Sequence, residues 1–236
     1  SEKMSKSKKN IVDPDSIVLT YGADTARLFM ISDSPPEKDL EWSIDGIKAM
    51  KKYLEKIYDL LSSKFKFILT FQKDKCILDG EKKAYEFTNN TIHSFSEDVK
   101  NYRFNTAVAK LRELSNFLIR EKLKGDLFNY CWSIYLRLIY IITPHFSQEL
   151  VYESGSDEII ENIEWPKADL SKTLHSKVIV VIQINGKKKD IIKVDENIKK
   201  DKLVEIIIGN QNDYNVDINK TKKVIFVPNK IINFVI

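Results

Sequence analysis

The densest chemistry in this sequence stands at its start. Lys3-Met4-Ser5-Lys6-Ser7 places two ammonium groups and two hydroxyls within five residues, and Lys8, Lys9 and Asn10 follow. Hydroxyls and movable point charges on a loop suit a phosphate chain. When a pyrophosphate group departs from a nucleotide, negative charge grows on the leaving oxygen, and a lysine positioned there stabilises the transition state more than the ground state. Taken alone, the pentapeptide fits a solvated basic terminus equally well.

A second basic group lies near the other end. Lys187-Lys188-Lys189 directly follows Asn185-Gly186, the dipeptide most suited to a tight hairpin turn. Lys199-Lys200, Lys222, Lys223 and Lys230 extend the patch if the fold gathers them. Net charge is only +4, yet residues 175–236 hold twelve lysines, no arginine and seven acidic residues, whereas the rest of the chain is close to neutral. This asymmetry points to a polyanion, although lysines also guard exposed strand edges. Arg103, Arg112, Arg120 and Arg137 are further candidates for a nucleic-acid backbone, or else occupants of solvated helix faces. His93, His145 and His175 lack metal-ligand spacing, so no metal site is assigned. Cys76 and Cys131 have no CxxC partner, which excludes a cysteine zinc site and a disulfide framework and fits a reducing cytoplasm. No apolar run is long enough to span a bilayer, and the polar N-terminal residues carry no signal-peptide core.

The elements that must position these groups change character along the chain. Asp13-Pro14 reads as an N-cap followed by proline at the first helical position. Gly22 ends that helix, and Asp24 is a candidate cap for the next, which Ser34-Pro35-Pro36 breaks. From Ser43 onward, apolar residues recur at three- and four-residue intervals: Ile47, Met50, Leu54, Ile57, Leu61, then Ala84 to Val99, then Phe104 to Leu118. A further helix follows a candidate cap at Asp126, and another runs from Thr143-Pro144 to Gly155. Phe95, Phe104 and Phe117 fall on these stripes and read as core. After about residue 176 the pattern shortens to β-branched runs, giving two strands, a short helix and two strands. The expected fold is mainly α: an antiparallel helical bundle followed by a small α+β domain of ββαββ order. The expected division is 1–42, then a helical domain at 43–155, a connection at 156–175 carrying Trp165-Pro166, and the α+β domain at 176–236.

These residues together resemble the class I aminoacyl-tRNA synthetases. Lys3 to Ser7, Asn10, Val12-Asp13-Pro14, Tyr21-Gly22-Ala23-Asp24 and Arg27 are similar to their signature loop and the stretch after it. Thr25 to Met30, Ser34-Pro35-Pro36 and Asp39 to Ser43 look like the leucyl member. Phe104 to Leu111, Thr143 to Phe146 and Glu164-Trp165-Pro166 resemble its helical domain, and Val181 to Lys187 and Val224 to Lys230 its bacterial-type C-terminal domain. The resemblance covers nearly the whole chain.

It implies a C-terminal portion of a leucyl-tRNA synthetase that begins at the signature loop. Residues 1–42 would be a remnant of the catalytic domain, 43–155 an anticodon-binding-type domain and 176–236 a tRNA-binding domain. Lys6 would contact ATP phosphates and the departing pyrophosphate, Lys3 would assist, and Ser5 and Ser7 would shape the loop. Lys187, Lys188, Lys189, Lys222, Lys223 and Lys230 would meet tRNA(Leu). The parent would use ATP with Mg2+ and leucine, as a cytoplasmic monomer with no membrane association. No His-x-Gly-His signature, nucleotide-binding fold or editing insertion accompanies the loop, so the chain alone is expected to be inactive in aminoacylation and to bind no cofactor tightly. The alternatives are a stand-alone tRNA- or RNA-binding module, or the same part of an isoleucyl or valyl enzyme.

Overall fold

The computed structural model describes residues 4–5, 7–8, 10–169, 177–195, 198–209 and 221–236. The chain forms two compact units, Ser1–Thr173 and Leu174–Ile236.

The first unit is helical: α1 (Pro14–Tyr21), α2 (Ala23–Ser32), α3 (Ile44–Leu61), α4 (Asp79–Lys100), α5 (Phe104–Glu121), α6 (Gly125–Ile139) and α7 (Pro144–Glu153). Local chemistry sets several of the boundaries. The Asp13 carboxylate accepts from the Ser16 and Asp15 amides, with Pro14 at the first helical position. Ser43 Oγ accepts the Gly46 N–H at 3.0 Å and starts α3. Glu81 reaches back to the Ile77 and Leu78 amides and supports the start of α4. Beyond α7, Gly155 at φ 80° donates to the Tyr152 carbonyl and Ser156 donates to that of Val151, the paired bonds of a left-handed helix stop.

α6 lies at the centre of the bundle, since eleven of its fifteen residues are buried. Trp132 and Tyr135 on α6, Phe95 on α4, Leu111 and Leu114 on α5 and Ile57 on α3 make up the core. Polar side chains of α6 also organise a neighbouring segment. Asn129 Oδ1 accepts the Lys66 N–H and Ser133 Oγ the Ile68 N–H, both at 2.9 Å, which satisfies backbone leaving α3. Tyr53, Ser115 and Tyr135 join their hydroxyls at 2.8–3.0 Å inside the bundle, and Arg112 lies over the Tyr53 ring.

Three local expectations are corrected. Asp126 sits in the first turn of α6 and caps nothing; that helix begins at Gly125, whose φ of 61° suits glycine. Asp24 lies inside α2, whose cap is Gly22 at φ 87°. Phe95 is fully buried, but Phe104 and Phe117 are only half-buried, and Phe117 stacks on Phe87 with ring centroids 4.6 Å apart.

The stretch from 156 is held along the bundle as far as Asp169. Trp165 Nε1 donates to Ser96 Oγ, Arg137 donates to the Glu164 carbonyl, and the Asn89 amide exchanges two hydrogen bonds with the Asp169 backbone.

The second unit contains β1 (Lys177–Ile184), β2 (Lys187–Asp195), α8 (Lys200–Gly209), β3 (Lys223–Val227) and β4 (Ile231–Val235), with strand order β2-β1-β4-β3. β1 runs antiparallel to β2 and parallel to β4, and β3 and β4 form an antiparallel pair. Alternate residues Val180, Ile182, Ile192, Val194, Ile232 and Phe234 share a buried cluster with Leu203 and Ile207 of α8. Their period of two is the one the strand pattern predicted.

Candidate functional site

The N-terminal loop is organised around Ser5. The Asn10 side-chain oxygen accepts the Ser5 N–H at 2.8 Å, Ser5 Oγ lies 3.2 Å from Ser7 Oγ, and the Lys8 amide closes a turn on Ser5. Both hydroxyls of the pentapeptide therefore lie together. Lys3 and Lys6, the candidate catalytic residues, lie outside the described residues. Asn10 is the loop-holding residue that the spacing of charges did not bring out.

The helices behind this loop pack into the bundle core through Ile17, Leu28 and Phe29, and two polar side chains on one face of α2 add contacts to the turn between α6 and α7. Asp24 is 8% exposed. Its Oδ2 accepts the Phe146 N–H at 2.6 Å and its Oδ1 lies 3.0 Å from His145 Nδ1. Asp24 thus caps the start of α7, where Thr143 makes no side-chain cap. One turn later, Arg27 Nε donates to the Ile142 carbonyl at 2.7 Å and Nη2 to that of Ile141 at 3.1 Å. Arg27 thereby clamps the turn between α6 and α7. A cleft of about 480 Å³ borders this joint, lined by Tyr21, Asp24, Lys51, Tyr58 and His145 among others.

The lysines of the second unit belong to a different kind of surface. Asn185 and Gly186 both take positive φ, 47° and 78°, and turn β1 into β2. Asn233 Oδ1 accepts the Gly186 N–H and Asn185 Oδ1 accepts the Ile236 N–H, each at 3.0 Å, which staples this hairpin to the end of β4. Lys187, Lys188 and Lys189 follow on edge strand β2, all exposed. A bulge leaves Lys189 without a register partner, since Ile182 faces Asp190 and Gln183 faces Lys188. Lys222 and Lys223, also exposed, open the opposite edge strand at the same end of the sheet, because Ile184 pairs Phe234 and Phe234 pairs Val224. Lys230 is exposed in the β3–β4 turn at the far end of those strands and is not gathered with the others. Lys199 and Lys200 are exposed at the start of α8.

The four arginines proposed from sequence are each engaged within the first unit. Arg137 is buried, and that burial pulls its pKa below the ordinary value; its guanidinium is used on the Glu164 carbonyl. Arg103 pairs with Asp98 at 2.8 Å, Arg112 covers Tyr53 and Arg120 covers Phe117. Arg137 is therefore removed as a nucleic-acid contact.

Comparison with known proteins places these features in a family. Residues 81–208 match the anticodon-binding domain of tRNA ligase, and residues 1–43 match the class I tRNA synthetases (I, L, M and V). A leucine–tRNA ligase of Wolbachia pipientis from Culex pipiens (strain wPip) is 37% identical over 240 residues, covering all of this chain and 29% of that protein. One from Ehrlichia chaffeensis (strain Arkansas) is 37% identical, covering all of this chain and 28% of its own length. The chain thus spans under a third of these relatives. Among solved structures, the agnB2 LeuRS of Agrobacterium radiobacter K84, in a ternary complex with tRNA and LeuAMS, shares the fold with a TM-score of 0.72. That match has 23% identity and covers 99% of this chain and 30% of the other. With the family match at 81–208 taking in more than half of its 236 residues, the chain belongs to the anticodon-binding-domain family of tRNA ligases.

Proposed function

We propose that this chain is part of a leucine–tRNA ligase, which activates leucine with ATP and esterifies it to tRNA(Leu) for protein synthesis. Its similarity along the whole length to proteins named leucine–tRNA ligase carries this reading. In the first step the leucine carboxylate attacks the α-phosphorus of ATP and pyrophosphate leaves. Lys6, assisted by Lys3, supplies positive charge to the departing phosphates, where it counts most in the transition state. Ser5, Ser7 and Asn10 shape the loop that carries them. ATP with Mg2+ and leucine belong to the whole ligase. The ligase works as a monomer in the cytoplasm, where Cys76 and Cys131, both unpaired and buried, stay reduced.

The helical unit and the sheet unit hold tRNA. Lys187, Lys188 and Lys189, with Lys222 and Lys223 at the same end of the sheet, face solvent as point charges suited to phosphate; Lys230 adds a separate contact. The test is the affinity of the full-length ligase for tRNA(Leu) as a function of salt. Replacing Lys187, Lys188 and Lys189 with Gln is expected to weaken binding and to reduce the slope of log K against log salt by about 2–3. An unchanged slope reassigns these lysines to protection of the β2 edge.

A further inference from the structure

The α2 joint does more than close a helix end. Asp24 and Arg27 stand three residues apart, hence on one helical face, and between them they grip both sides of a single turn. The cation meets two carbonyls just beyond α6, and the anion meets the Phe146 amide and the His145 ring at the start of α7. Each charge matches the helix terminus it faces, as the macrodipole requires. The partners lie 114–122 residues away in sequence. In the other direction, α2 continues through Gly22 into α1, where the Gly22 N–H donates to the Val18 carbonyl, and α1 follows the Ser5–Asn10 loop. Two clefts flank the joint, one bordered by Tyr21, Lys51 and His145, the other by Val18, Met30 and Ile141.

We propose that Asp24 and Arg27 are positioning residues for amino-acid activation: their grip on the α6–α7 turn sets α1–α2, and with it the Ser5 and Asn10 anchor that precedes α1, against the bundle. The inference rests on the ligase reading above. Neither side chain touches substrate in this assignment. Their effect is on the presentation of positive charge to the departing pyrophosphate, so the rate of activation carries it and binding of leucine does not. Transfer from a finished adenylate to tRNA does not use the loop's charge and is independent of the grip.

The test uses the full-length ligase with Asp24→Asn, Arg27→Gln and both together. Asn keeps an acceptor for the Phe146 N–H at nearly the same volume, and Gln keeps most of the Arg27 stem, so the fold is retained. Leucine-dependent ATP–pyrophosphate exchange is measured beside single-turnover transfer from preformed leucyl-adenylate to tRNA(Leu). Each single change is expected to lower kcat for exchange about tenfold, with KM for leucine and the transfer rate unchanged, as loss of one charge-assisted bond predicts. Arg27→Lys, which keeps the charge and one donor, is expected to recover part of the rate. Wild-type exchange in the double variant overturns the assignment. A parallel fall of exchange and transfer also overturns it, because that is the signature of lost folded protein. An unaltered ligase with no leucine-dependent exchange removes the ligase reading, and this inference with it.

Discussion

The two units use cations in opposite ways. In the helical unit, arginines spend their donors inside the molecule: Arg27 on the carbonyls after α6, Arg137 on the Glu164 carbonyl, Arg103 on Asp98. Lys73 is likewise drawn into a half-buried pair with Glu86 at 2.8 Å. In the sheet unit there is no arginine, and among the described residues its lysines make no ion pair. A planar guanidinium holds several acceptors in fixed directions, whereas an ammonium on a flexible stem remains hydrated and available. The difference separates a unit whose charges hold a fold from one whose charges are presented outward.

Alkali should break the comparison most strongly. Burial pushes the Cys131 thiol up to about 12 and raises the hydroxyl pKa values of Tyr53, Tyr130 and Tyr135. A raised folded value means that the unfolded chain gives up its proton first. This stability is complete below the unfolded values, 9.0 for the thiol and 10.0 for the phenols, and is lost as pH rises toward the folded ones. All of these groups lie in the first unit, and the described residues of the second include no Tyr or Cys. Tryptophan fluorescence reports the first unit alone, because Trp42, Trp132 and Trp165 all lie there. Its urea midpoint is expected to collapse between neutral pH and about pH 11, while amide exchange in β1 and β4 changes little. Equal loss in both units would refute the division.

Phe234→Ala should act in reverse. Phe234 is fully buried in the small cluster under α8. Its removal is expected to cost about 3–5 kcal/mol and to melt a sheet unit of this size. Amide protection of β1 and β4 would fall while the tryptophan transition stays in place. A tryptophan transition that moves with it would show the two units unfolding together.

Ser43→Ala is the smallest change. It removes the acceptor for the Gly46 N–H and is expected to cost about 1 kcal/mol in the first unit only. The tryptophan urea midpoint measures it, and an unmoved midpoint would assign that bond no net value.

The sequence made some of these features legible and hid others for identifiable reasons. The Asn185-Gly186 turn and the helix start at Asp13-Pro14 are local, since the residues that cause them are neighbours of the backbone they shape. The buried stripes of α3, α4 and α5 follow from periodicity alone. In the sequence Asp24 reads as a cap for α2, because a carboxylate near a helix start has two available sets of amides, its own and one brought close by folding. Gly22 already turns the chain there, leaving the carboxylate to α7. Phe104 and Phe117 lie on the predicted stripe yet remain half-exposed, since a stripe gives direction and not depth.

By itself, the sequence determined the kinds of element, their order, the change from period 3.6 to period 2 near residue 176 and the presence of a lysine-rich, arginine-free end. Each of these depends on interactions between near neighbours or on composition. Only the tertiary structure decided which charges are occupied and which are offered. Arg27 and Arg137 are occupied by carbonyls 114–115 and 27 residues away, and Lys222 and Lys223 join the Lys187 end of the sheet through β4. Partners so far apart along the chain leave no local pattern. They meet because burying the helical stripes and pairing the strands permits few arrangements, and the charges settle onto whatever backbone those arrangements bring within reach.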